Sequence, residues 1–204
     1  MKKLIFITTL GVFLFLSACT IKYLPIASNN VSITDNYGVV RNKDYTIAAA
    51  NEYWNRDPQE LTNYFTTFYI SIQNRGKVNM VVDKSDFGLI DENGNQYDIV
   101  TTDYIENMLA PHLIDYLMVS GTNNSIIPNE SDYNKQRQMI EKWRLAKNNL
   151  ITYSFHFGKI LPGAKKSGYL FFPKLESKNY NCTFQFDDTN IEFTRADKKK
   201  KLKK

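Results

Sequence analysis

Cysteine and histidine are scarce in these 204 residues, with only Cys19, Cys182, His112 and His156 present. No C-x-x-C or H-E-x-x-H string occurs, so the familiar zinc spacings are excluded. No G-x-S-x-G turn offers a nucleophilic serine. Neither histidine has a ligand-type neighbour at useful spacing, and both read as structural. No catalytic residue, cofactor or metal is expected. Nine glycines and six prolines are too few for a low-complexity chain, and no internal repeat is visible. An apolar run of about 20 residues, the length that crosses a bilayer, is also missing. So is a basic stripe. The formal charge of +5 depends on Lys2, Lys3 and six lysines within residues 198–204. Without those lysines the body is mildly acidic, which excludes the usual electrostatic footprint of a nucleic-acid binder.

What is present begins at the N-terminus. Lys2-Lys3 precedes an apolar stretch over residues 4–16, the pattern of a secretory signal. Leu16-Ser17-Ala18-Cys19 follows and resembles the bacterial lipobox: an aliphatic residue, two small residues, then cysteine. The resemblance implies cleavage between Ala18 and Cys19 and acylation of the Cys19 thiol. Two or three acyl chains form a stable membrane anchor where one would be marginal. Thr20 stands where an aspartate would tend to hold a Gram-negative lipoprotein at the inner membrane, so the outer membrane is expected if the organism has one. With Cys19 acylated, Cys182 has no disulfide partner and reads as a buried thiol on a strand.

Residues 1–18 are therefore expected to be a signal peptide, 19–30 a lipidated tether, 31–196 the folded domain and 197–204 a solvated Lys-rich tail. Alternation marks strands at 65–73, with Phe68, Ile70 and Ile72 on one face, and at 150–157, 182–186 and 191–195. Asn93-Gly94 predicts a hairpin between 87–91 and 96–100. Asp91-x-Asn93-x-Asn95 hints at a calcium loop, but the glycine falls at the fourth position rather than the sixth, so the string reads as a turn. Helical signals fill residues 102–148. Asp103 has capping-box spacing to Glu106, and Pro111 fits the first turn of a helix. Ser131 caps a longer helix with Met139, Ile140, Trp143, Ala146 and Leu150 on one face and an Arg137–Glu141 pair on the other. Many short strands with turns between them indicate a mainly β chain, an antiparallel β-sandwich with a helical insertion at about 102–148.

Three strings carry a family resemblance. They are Phe68-Tyr-Ile-Ser-Ile-Gln-Asn-Arg-Gly-Lys, Asp86-Phe-Gly-Leu-Ile-Asp-Glu-Asn-Gly-Asn-Gln-Tyr and Leu161-Pro-Gly-Ala-Lys-Lys-Ser-Gly-Tyr-Leu-Phe-Phe-Pro. Their order over residues 65–195 resembles the bacterial immunoglobulin-like extracellular domains of unknown function called the DUF4352, telokin-like group. That resemblance implies an immunoglobulin-like β-sandwich and carries no enzymatic activity. The helical insertion departs from the group's pattern.

Tyr53, Trp54, Tyr104, Tyr116 and Trp143 are the candidate binding surface, because these rings combine contact area with a polar tip. The expected function is a membrane-anchored envelope lipoprotein with a binding or scaffolding role toward a protein or a cell-envelope polymer. An envelope hydrolase sited in the insertion near His112 and an assembly lipoprotein of a secretion system are the alternatives. The terminal lysines read as solvated, with attraction to anionic lipid or envelope polymer as their functional alternative.

Overall fold

The computed structural model describes residues 21–110 and 130–197, so Ala18, Cys19, His112, Tyr116 and the terminal lysines lie outside the described residues. The described chain is mainly β and antiparallel. One sheet contains β1 (Tyr23–Pro25), β12 (Thr189–Arg195), β11 (Asn181–Phe186), β7 (Phe87–Asp91) and β8 (Gln96–Tyr97), in that order. The other contains β10 (Lys165–Pro173), β5 (Phe65–Asn74), β4 (Tyr45–Asn51), β3 (Tyr37–Arg41) and β2 (Ser32–Thr34). A short ribbon pairs β6 (Met80–Val82) with β9 (Gly158–Ile160). β5 lies between β4 and β10, and β11 lies between β7 and β12. Two antiparallel sheets with their apolar faces together make a β-sandwich.

Period-2 alternation builds the core. Phe68, Ile70 and Ile72 of β5 are fully buried and face the apolar positions of the opposite sheet. The Phe68 ring lies 5.2 Å from Phe184 and 5.1 Å from Phe193, centroid to centroid. The predicted hairpin between β7 and β8 forms, and a second joins β11 to β12. Gly94 holds φ +85° between β7 and β8, and Asp187 holds φ 50° between β11 and β12. Cys182 is free and buried in this core, and burial pushes its thiol up.

A third layer covers the outer face of the β5–β10 edge. It consists of α1 (Leu61–Tyr64), α2 (Thr102–Leu109) and α3 (Glu130–Tyr153). Trp54, Leu61, Ile105 and Leu150 pack there against Phe65, Tyr169 and Phe171. β10 is therefore buried on both faces from Gly168 to Phe172, which explains its continuous apolar run.

Several expectations are corrected. The stretch read as a tether contains β1, whose Tyr23 is 3% exposed and pairs opposite Arg195. The strand read at 150–157 is helical as far as Tyr153, because Leu150 turns inward with Ala146 one helical turn earlier. The helical stretch accordingly ends later than residue 148. Thr101, not Asp103, caps α2, its hydroxyl accepting from the Tyr104 N–H at 3.3 Å. Glu141 pairs with Arg144 at 2.7 Å instead of Arg137. Met139 and Ile140 are exposed, so the apolar face of α3 is used only from Trp143 onward.

Candidate functional site: a cleft at the edge of β10

β10 is an edge strand of its sheet, and the two ends of the helical layer both attach to it. Before α2, the Val100 N–H donates to Phe171 O at 2.8 Å. After α3, the Phe155 N–H donates to Tyr169 O at 2.9 Å, beside a parallel bridge from Ser154 to Tyr169. These attachments satisfy part of an otherwise open edge. Gly168 permits the second one. A Cβ at that position would lie 2.6 Å from the Ser154 carbonyl and the Phe155 nitrogen.

Between the two attachments a cleft of about 300 Å³ remains. Val100, Leu150, Phe155 and Phe171 give it apolar walls, and the exposed side chains of Lys84, Asp103 and His156 line it as well. Ser154 Oγ is buried there without a hydrogen-bond partner. A buried orphan hydroxyl is uncommon, because such groups nearly always find a partner. Concavity, apolar walls and one unsatisfied polar atom are together the ordinary makings of a ligand or side-chain pocket. Ser154, His156 and Asp103 all line the cleft, yet the serine hydroxyl bonds to neither of the others.

The helices that roof the cleft are held to each other and to the sheet. Lys147 of α3 pairs with Glu106 of α2 and lies 5.6 Å from the centroid of the Trp143 ring. Trp143 is half-buried with its indole N–H unpartnered. The predicted aromatic surface does not survive intact. Trp54 is 2% exposed and packs 5.2 Å from Tyr169 and 5.3 Å from Phe171, so it belongs to the core beneath the helices. Tyr53 is half-buried and its carbonyl accepts from the Tyr169 hydroxyl at 3.4 Å. Tyr104 is exposed on α2. The residues that shape the cleft, Val100, Ser154, Phe155 and Phe171 among them, were not singled out from the sequence.

The Asp91 loop is the turn the sequence indicated. One carboxylate oxygen accepts from the Asn93 and Asn95 N–H groups, both at 2.9 Å. The other accepts from Asn95 Nδ2 at 2.9 Å, Tyr97 OH at 3.1 Å and Asn179 Nδ2 at 3.4 Å. Burial pushes this carboxyl up, but the combined hydrogen bonds outweigh it and hold the group well below the usual carboxylate range. Among the described residues no three His, Cys, Asp or Glu side chains gather as a metal site, and no helix is long and apolar enough to cross a membrane.

No family model matches the chain, and no curated protein matches it. Among solved structures it is similar to a functionally unknown protein from Listeria monocytogenes EGD-e. The identity is 12% and the TM-score 0.30, over 80% of this chain and 70% of that one. A likeness that distant carries no functional argument.

Proposed function

We propose that the chain is a lipid-anchored bacterial envelope lipoprotein of the DUF4352, telokin-like kind, whose domain binds a partner instead of catalysing a reaction. The observation that carries this reading is Leu16-Ser17-Ala18-Cys19 directly after the apolar stretch at residues 4–16. Export places the domain outside the cytoplasm, and Thr20 after the lipobox cysteine favours anchoring at the outer membrane where the organism has one. The cleft at the β10 edge supports the binding half of the reading. Its walls suit the apolar part of a ligand, and Ser154 Oγ offers one hydrogen bond to a polar atom beside that part. A side chain of a protein partner or a unit of an envelope polymer meets both requirements.

The test is metabolic labelling with an alkynyl fatty acid, followed by intact-mass analysis. The expected result is a labelled protein whose mature mass begins at an acylated Cys19, with label absent from the Cys19→Ser variant. Label persisting in that variant, or an uncleaved unacylated mass in the wild type, overturns the anchoring.

A further inference from the structure

The cleft at the β10 edge has polar chemistry at its mouth as well as apolar walls. The N-terminus of α2 lines it through Thr101, Thr102 and Asp103. The first bond of the helical ladder runs from the Ile105 N–H to Thr101 O at 3.2 Å, and the Tyr104 N–H is taken by the Thr101 hydroxyl. The N–H groups of Thr102 and Asp103 precede that ladder, so the helix offers them no acceptor. Neighbouring N–H groups of this kind, at the positive end of a helix, attract an anion.

A separate observation points to the same place. Ser154 is 4% exposed, lines the same cleft, and holds its hydroxyl without a partner. A hydroxyl can donate to an anion, and the His156 ring on the rim has an N–H to give as well. Charge narrows the choice further. Lys84 lines the cleft and forms no ion pair among the described residues. Asp103 is the one acidic side chain in the lining. These two charges cancel, which leaves the helix end to supply about half an elementary charge. That matches a single negative charge and not the two of a phosphate monoester.

The walls set the rest of the ligand. The cleft of about 300 Å³ is about twice the size of an engineered cavity that takes benzene, so it has room for about twelve heavy atoms. We propose that it binds an apolar group carrying a single carboxylate. The carbon skeleton lies against the apolar walls. The carboxylate accepts from the Thr102 and Asp103 N–H groups and from the Ser154 hydroxyl, and Lys84 adds attraction from the rim. The proposal rests on the binding half of the reading above and is independent of the lipid anchor. A free aliphatic or aromatic acid and the C-terminal residue of a polypeptide both present this chemistry.

The test is a series of NMR titrations of the isotope-labelled full chain, followed at the amides of Thr102, Asp103 and Phe155. The probes are phenylbutanoate, its primary amide and the corresponding amine, which share one skeleton and differ in charge. Phenylbutanoate is expected to shift these amides and to bind at least about tenfold tighter than the other two, the difference that hydrogen bonds to a charged group make. Lys84→Gln should weaken it about threefold and Asp103→Asn should tighten it about threefold, as exposed charges do. Ser154→Ala should weaken it about tenfold. An acetylated tripeptide ending in a free phenylalanine carboxylate separates the two sources. If it is the tightest probe, the ligand is a chain terminus; if phenylbutanoate is tighter, the ligand is a free acid. Amide or amine binding as tight as that of the acid, or charge variants that fail to move affinity in opposite directions, overturns the carboxylate and leaves the cleft a binding site. No shift at these amides with any probe overturns the binding reading of the cleft together with the proposal.

Discussion

Replacing Asp91 with asparagine tests whether the loop between β7 and β8 is held by a charge or by shape. In the wild type one carboxylate receives five hydrogen bonds. An asparagine oxygen in the Oδ1 position keeps the two backbone donors. Its NH₂ then replaces Oδ2 and faces three donors. Tyr97 can rotate its hydroxyl to accept, and exposed Asn95 can turn to water. Asn179 is completely buried and loses the carboxylate partner of its Nδ2. An orphaned buried donor costs about 1–3 kcal/mol, and the lost charge on the remaining bonds adds to that, so Asp91→Asn is expected to cost about 3 kcal/mol at neutral pH. For a domain of this size that lowers Tm by about 10 °C. The pH dependence is the sharper signature. The folded carboxyl titrates below its unfolded value, so its stabilisation is complete at neutral pH. It declines once pH falls below about 4, where the unfolded chain takes up the proton first. Urea unfolding of both proteins from pH 7 to pH 3 measures this. The wild type should lose stability toward the variant as acid increases. A gap that is the same at pH 7 and pH 3, or a neutral-pH cost under about 0.5 kcal/mol, refutes the assignment of the loop to this carboxylate.

Two further substitutions probe the β10 edge. Gly168→Ala drives a methyl group into the backbone of Ser154 and Phe155, and about 2–3 kcal/mol of stability should be lost along with faster amide exchange at Phe155; exchange unchanged from wild type would refute the close approach. Ser154→Ala removes a hydroxyl that has no partner, so thermal unfolding should show neutrality or a gain of up to about 1 kcal/mol. A loss greater than that would mean the hydroxyl is hydrogen-bonded within the fold.

The strands of the sandwich were legible where alternation was clean. Phe68, Ile70 and Ile72 alternate over a long run with a turn after it, and a one-residue slip would turn all three outward, so only one register suits them. β1 was not legible for the opposite reason. Three residues show no period, and Pro25 reads as a breaker. The structure tolerates Pro25 because β1 is the edge strand of its sheet and only one side must supply ladder bonds. The end of α3 was misread because residues 150–157 alternate as a strand would. What makes Leu150 helical is its burial in the cluster that holds Trp54 and Ile105, both distant in sequence. Trp54 was misplaced on the surface by its neighbours Glu52, Asn55 and Arg56, which are polar although the indole between them points inward.

The cleft required more than local pattern. Its two sides come from residues about fifty apart, joined through β10 and through the packing of α2 on α3. One signal for it did exist. Gly168 sits inside a strand just ahead of Tyr169, Leu170, Phe171 and Phe172, which are apolar without alternation. A glycine within a strand marks the close approach of another backbone, and a non-alternating run marks a strand covered on both faces. Together they require a further layer of structure over the outer face of β10, with a segment crossing it at Gly168. They do not say which segment crosses. Ser154 became that residue only because α3 ends one position earlier, where the packing of Ala146 and Leu150 brings the chain down onto the sheet. The position of the orphan hydroxyl is thus a product of helix length, and helix length here is decided by tertiary contact instead of local propensity.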